Sequence, residues 1–183
     1  MRCKKSVLRV ISVVLVLLIL PNTVSAYALC GFHWDSYVIR YYYDSSCTSR
    51  ARTYLNIAVN AWNSRIQLEL LAGTSSNHHV RCAETEEVNA IWDGAVYYNA
   101  DGELFYEMTL YLNNGKFDTW NDNGALQSVA VHEFGHVIGL SESSGRKIMN
   151  PKTWGSNSRY EQYGIVLPVS DDIEGADFIY SIV

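Results

Sequence analysis

Apolar residues recur along this chain with two different periods, and each change of period marks a predicted element. The run "SYVIRYYYD", residues 36–44, is rich in β-branched and aromatic side chains and is bounded by Ser and Asp, which predicts a strand. From Thr48 the period lengthens: Ala51, Tyr54, Leu55, Ala58 and Trp62 recur at three- and four-residue spacing. That is one face of a helix ending near Ser64, with Thr48 or Ser49 able to cap its first turn. "IQLEL", residues 66–70, returns to alternation and predicts a second strand. The polar segment that follows, "AGTSSNHHVRCAETEE", carries no clear period beyond a short strand around Val80.

Two further strand-like runs, "NAIWDGAVYY" and "ELFYEMTLYL", are separated by "NADG", a turn sequence. In the second run Tyr106, Met108, Leu110 and Leu112 fall on one face, as in a strand that is half buried or faces a groove. "NNGKFDTWNDNG" reads as a loop in which Asp122 or Asn123 caps the next helix. Ala125, Leu126, Val129, Ala130, Val137 and Ile138 carry that helix to Gly139, where a left-handed terminus costs glycine little. A last helix opens at Ser170 with Asp171, Asp172 and Glu174 in its first turn and turns Ile173, Ala176, Ile179 and Tyr180 inward. The order predicts an α+β fold: a twisted, mostly β sheet packed on two long helices, with a C-terminal helix added.

The first residues stand apart from this pattern. Arg2, Lys4, Lys5 and Arg9 precede an apolar stretch from Val10 to Leu20, and Val24-Ser25-Ala26 supplies small residues for cleavage. Residues 1–26 therefore read as a secretory signal peptide and residues 27–183 as one domain, secreted and free of the membrane. The apolar stretch is shorter than the roughly 20 residues of a spanning helix. Cleavage would remove four positive charges, leaving 10 Lys+Arg against 19 Asp+Glu, so the net charge moves from −5 to −9 and nucleic acid is excluded as a partner. A monomer is expected. Three cysteines remain, Cys30, Cys47 and Cys82, which in an oxidising compartment implies one disulfide and one spare thiol. All three pairings are open, and Cys30 with Cys47 is favoured.

The chemistry concentrates in "VHEFGHVIGLSESSGRKIMNP", residues 131–151. His132 and His136 are four apart on a helix, so their imidazoles leave one face a turn apart and can meet one ion at about 2.0–2.1 Å. Glu133, next to His132, is placed to take a proton from a zinc-activated water. No histidine lies downstream of His136, while His33, His78 and His79 lie upstream. The adjacent pair His78 and His79 sits in a polar segment and reads as solvent-facing.

"HEFGHVIGLSE" resembles the HExxHxxGxxH motif of the metzincin zinc metalloproteases, with Glu142 in place of the last histidine. The matrixin branch is the nearest match. "IMNP" is similar to its methionine turn, which implies that Met149 underlies the zinc and that Pro151 belongs to the wall of the specificity pocket. "SDDIEGADFIY" is similar to the family's final helix, and "AVNAWN" and "YEMTLYLN" to its first helix and its substrate-binding edge strand. The resemblance implies one catalytic Zn²⁺ held by His132, His136 and Glu142, with Glu133 as general base. Two histidines and a carboxylate form an accepted zinc set, although an anionic ligand leaves the ion less able to acidify water. Two features depart from the family. No pro-segment with its inhibitory cysteine motif is recognisable, and Pro151 stands two residues after Met149, where some relatives place a tyrosine.

The function this implies is a secreted zinc-dependent endopeptidase acting on protein or peptide substrates. The substrate would lie extended along the strand near Tyr106 to Leu112. Calcium is compatible with the acidic chain, but no ligand set for it is readable. The alternative is a catalytically weak or inactive secreted binding module on the same scaffold.

Overall fold

The structure, a computed structural model, describes residues 27–181. The predicted signal peptide lies outside the described residues. The change of period at Thr48 is where β1 (Val38–Tyr43) gives way to α1 (Ser49–Asn63). The Thr48 hydroxyl accepts a hydrogen bond from the Ala51 amide (3.3 Å), which satisfies one of the four amides a helix start leaves open. The predicted apolar face is the buried one: Ala51, Tyr54, Leu55, Ala58 and Trp62 all turn inward.

The chain continues through β2 (Glu69–Ala72), β3 (Val80–Thr85), β4 (Gly94–Asp101), β5 (Leu104–Asn113), α2 (Phe117–Asn121), α3 (Asn123–Ile138) and α4 (Ser170–Ser181). The strands form one sheet in the order β2-β1-β3-β5-β4. All neighbours are parallel except β4, which runs antiparallel to β5. The fold is α+β, with α1 and α3 packed against the sheet and against each other. Ile39, Leu70, Val80, Met108, Leu110 and Leu112 from the sheet meet Leu55, Trp62, Val129 and Phe134 from the helices in one buried core. The Trp62 indole N–H, which must find an acceptor once buried, donates to the Val131 carbonyl of α3 (2.9 Å) and fixes how the two helices meet.

The strand after α1 begins three residues later than its alternation predicts. The segment around Val80, nearly patternless in sequence, is the centre of the sheet. Its polar side chains are satisfied locally: Arg81 donates to Asp44 and to the Tyr111 hydroxyl (2.9 Å each), while Glu84 accepts from the Thr48 amide and hydroxyl (3.0 and 2.7 Å). Within the predicted loop 113–124 the short helix α2 forms.

The expected substrate strand is also corrected. β5 pairs with β3 on one side and β4 on the other, so it has no free edge; the edge strand on that side of the sheet is β4. Tyr106 is turned outward, because Asn99 pairs with Glu107 while Ala100 pairs with Phe105. The extra residue is a bulge that exchanges Phe105 for Tyr106 on the buried face.

The cysteine expectation fails as well: Cys30, Cys47 and Cys82 are all free thiols. Cys30 lies beside the end of α3, its amide donating to the Gly139 carbonyl (3.1 Å). Cys47 sits at the start of α1, its thiol donating to the Cys82 carbonyl (3.2 Å). The two are held by opposite ends of the helical layer and cannot meet. Burial pushes the Cys47 thiol up to about 12 and that of Cys82 well above its ordinary value, so neither is a reactive thiolate. No helix among the described residues is long and apolar enough to cross a membrane.

Candidate metal centre

α3 positions the site, and both of its ends are fixed by side chains. At the start, Asp122 accepts from the amides of Gly124 and Ala125 (2.8 and 2.9 Å). At the other end the last carbonyls need donors from outside the helix. The Trp34 indole donates to the Val137 carbonyl (2.8 Å), the Tyr180 hydroxyl to that of Ile138 (2.9 Å) and the Cys30 amide to that of Gly139. Gly139 itself takes φ 113° and ends the helix. The chain doubles back, with the Ser141 amide donating to the Ala28 carbonyl (2.8 Å) and the Ser143 amide to that of Met149 (2.9 Å). Glu142 lies between these two anchors and faces the helix it has just left.

The two histidines and Glu142 converge. His132 Nε2 and His136 Nε2 are 3.1 Å apart, and each lies 3.5 Å from Glu142 Oε1. Their Nδ1 atoms point to the carbonyls of Ile148 (2.8 Å) and Leu140 (2.9 Å). A carbonyl only accepts, so both Nδ1 atoms carry the proton and both Nε2 lone pairs face the gap. Tetrahedral bonds of about 2.05 Å give a ligand-to-ligand edge of about 3.3 Å, so this triangle has the size of one face of a zinc site. It is the one group of three such residues that converges among the described residues. His79 instead accepts from the Arg40 amide at Nδ1 (3.0 Å), and His78 packs edge-on against Tyr42.

The electrostatics suit a cation. Burial, helped by the charge of Arg159, pushes His132 down to about 4, so its imidazole is neutral at neutral pH. Burial also works on His136, but the carboxylates of Glu142 and Glu133 outweigh it and raise the group above its ordinary value. For Glu142 burial acts upward and the two imidazoles prevail, holding the carboxyl down at about 2. Glu142 is therefore an anion set beside the two Nε2 atoms. Glu133, 4% exposed, is not part of the triangle, and burial pushes it up to about 7.

Met149 lies beneath the helix, against Gly135: a side chain at that position would collide with the Met149 sulfur and come within 3.3 Å of the Trp62 ring. Its segment is pinned by the buried Asp172, which accepts from the amides of Ile148 (3.0 Å), Met149 (3.3 Å) and Val169 (2.9 Å). The acids at the start of the last helix thus do more than cap it.

The triangle opens into a cavity of about 490 Å³, lined on one side by residues 91–96 and on the other by Pro151, Thr153 and Arg159. Two lining residues escape the sequence reading. Gly94 lies so close to Glu133 that a Cβ there would stand 2.7 Å from both its Cγ and its Oε1. A glycine inside a strand pattern signals such an approach. Arg159, in an irregular segment with no period, gave no signal at all. α2 shapes the rim: the Thr119 hydroxyl donates to Asp93 (2.6 Å) and accepts from the Trp154 indole (2.8 Å).

Among known families, the model for matrixin peptidases matches residues 34–181, which takes in His132, Glu133, His136, Glu142 and Met149. No curated protein matches the chain.

Proposed function

The chain belongs to the matrixin family of metalloproteases, and from that premise we propose that it is a zinc-dependent endopeptidase. The observation that carries the proposal is the triangle of His132 Nε2, His136 Nε2 and Glu142 Oε1, with edges of 3.1, 3.5 and 3.5 Å. These three residues would hold the ion. Zinc, when bound there, would polarise the scissile carbonyl and lower the pKa of the attacking water.

The chain's own groups supply the rest. Glu133, desolvated and turned toward the cavity, takes the proton from the attacking water on its carboxylate and returns it to the departing amine. Its burial favours the protonated form, the one it takes on accepting the water's proton. The Nδ1 bonds to Ile148 and Leu140 keep both imidazoles in the tautomer that leaves Nε2 free. The outer edge of β4 makes no backbone hydrogen bond among the described residues, and its residues 94–96 line the cavity. An extended substrate added along that edge would present its peptide bonds to Glu133. Residues 1–26 would direct secretion and be removed before Tyr27, which N-terminal sequencing of the exported protein would test.

For the activity, the mature protein should hydrolyse an unfolded protein and lose that activity to a zinc chelator. Glu133→Ala should abolish it with zinc content unchanged. Hydrolysis that ignores the chelator, or survives Glu133→Ala, refutes the mechanism. Retained zinc with no hydrolysis of any peptide would leave a binding module.

A further inference from the structure

Arg159 is a buried cation that the chemistry above does not use. It is 2% exposed, yet it lines the cavity together with Glu133, Pro151 and Thr153. Its three nitrogens donate to the Ser128 hydroxyl (Nε, 3.1 Å), the Asn150 carbonyl (Nη1, 2.8 Å) and the Thr153 hydroxyl (Nη2, 2.9 Å). All three acceptors are neutral. A guanidinium carries five N–H groups, so one on each of Nη1 and Nη2 is left without an acceptor among the described residues. No carboxylate among the described residues comes within ion-pairing distance of it. Burial acts against its charge, and Glu133, Asp93 and Glu142 support it only through space.

Burying a cation without a counter-ion is costly, and holding the 150–153 segment against α3 would use only the three N–H groups already engaged. The two that remain belong to adjacent nitrogens of a planar fork, the arrangement that fits a carboxylate. We propose that Arg159 makes this cavity select a carboxylate side chain, so that the protein cleaves next to aspartate or glutamate. This rests on the peptidase reading above. The chain's net negative charge disfavours acidic substrates at long range, so the selection is local to Arg159.

The test uses three short peptide hydroxamates that share a zinc-binding head and differ in one adjacent side chain: glutamate, glutamine or leucine. Binding to the zinc-loaded mature protein is measured by calorimetry, so no turnover is needed. The glutamate probe should bind about 10- to 100-fold more tightly than the glutamine probe, the range for a charge-assisted pair over a neutral one. Arg159→Met, shown to keep its zinc, should bring the three within a few fold of one another. Should that variant fail to fold, the comparison on the unaltered protein decides alone. Equal binding of glutamate and glutamine, tighter binding of leucine, or no binding of any probe overturns the proposal. Selective binding of the glutamate probe by a protein that hydrolyses nothing would support the carboxylate subsite and refute the peptidase reading.

Discussion

Gly139→Ala tests whether the turn that ends α3 is what brings Glu142 back to the histidines. Gly139 sits at φ 113°, and an added Cβ would stand 2.9 Å from the Phe32 carbonyl oxygen and 3.2 Å from Ile179 Cδ1. Gly145 provides the control: its φ is 96°, but no atom of the described residues lies within 4 Å of its added Cβ. Both substitutions incur the left-handed backbone penalty of about 1–2 kcal/mol, and both gain equally from a stiffer unfolded chain. Only Gly139→Ala adds the collision, with backbone on one side, and overpacking of that kind costs about 1–3 kcal/mol. The difference between the two variants should therefore be on the order of 2 kcal/mol. Urea unfolding with zinc removed measures it, given unchanged m values. A second consequence concerns the ion. Relief of the collision must push residues 139–142 away from the N-terminal segment held by the Ser141-to-Ala28 bond, so zinc affinity should fall in Gly139→Ala and not in Gly145→Ala. The reasoning fails if the two variants are equally stable. It also fails if Gly139→Ala unfolds more easily yet binds zinc as before.

Three further outcomes follow from the same geometry. Glu142→Ala should weaken zinc by more than the 10- to 100-fold typical of losing an outer-shell partner, and Glu142→His should retain it; equilibrium dialysis reads both. Gly94→Ala should displace Glu133, since its Cβ would lie 2.7 Å from the carboxylate oxygen, and lower kcat/KM by up to about 100-fold with zinc content unchanged. Asp122→Ala should cost about 1 kcal/mol of stability at neutral pH through the lost cap of α3. The Ala125 amide, then the Tyr160 hydroxyl, hold Asp122 below its ordinary value of 3.8. That contribution is complete above the unfolded-state value and is lost as pH falls through the lower folded-state value. The penalty should therefore persist down to about pH 4 and shrink below it in urea titrations at stepped pH.

Features decided by neighbours in the chain were legible in the sequence. The caps Thr48 and Asp122, the left-handed Gly139, the buried face of α1 and the juxtaposition of His132 with His136 depend on groups no more than four residues apart. Backbone geometry places such groups without reference to the rest of the fold. The composition of the triangle of His132, His136 and Glu142 was legible too, because its spacing is a motif.

Only the tertiary structure decided the remainder, for the opposite reason. Whether a strand is an edge depends on its partners, and β5 gains one from β3, whose paired residues lie 28 positions earlier in the chain and are nearly silent in sequence. The outward turn of Tyr106 came from a bulge in that pairing, the separation of Cys30 from Cys47 from the ends of the helical layer they pack against, and the place of Asp172 from a segment 23 and 24 residues away. Arg159 shows the limit most clearly. Nothing beside it in the chain marks it, and its role follows from burial against Ser128, 31 residues distant, at the wall of a cavity that exists only once the sheet, α3 and the Met149 segment have packed.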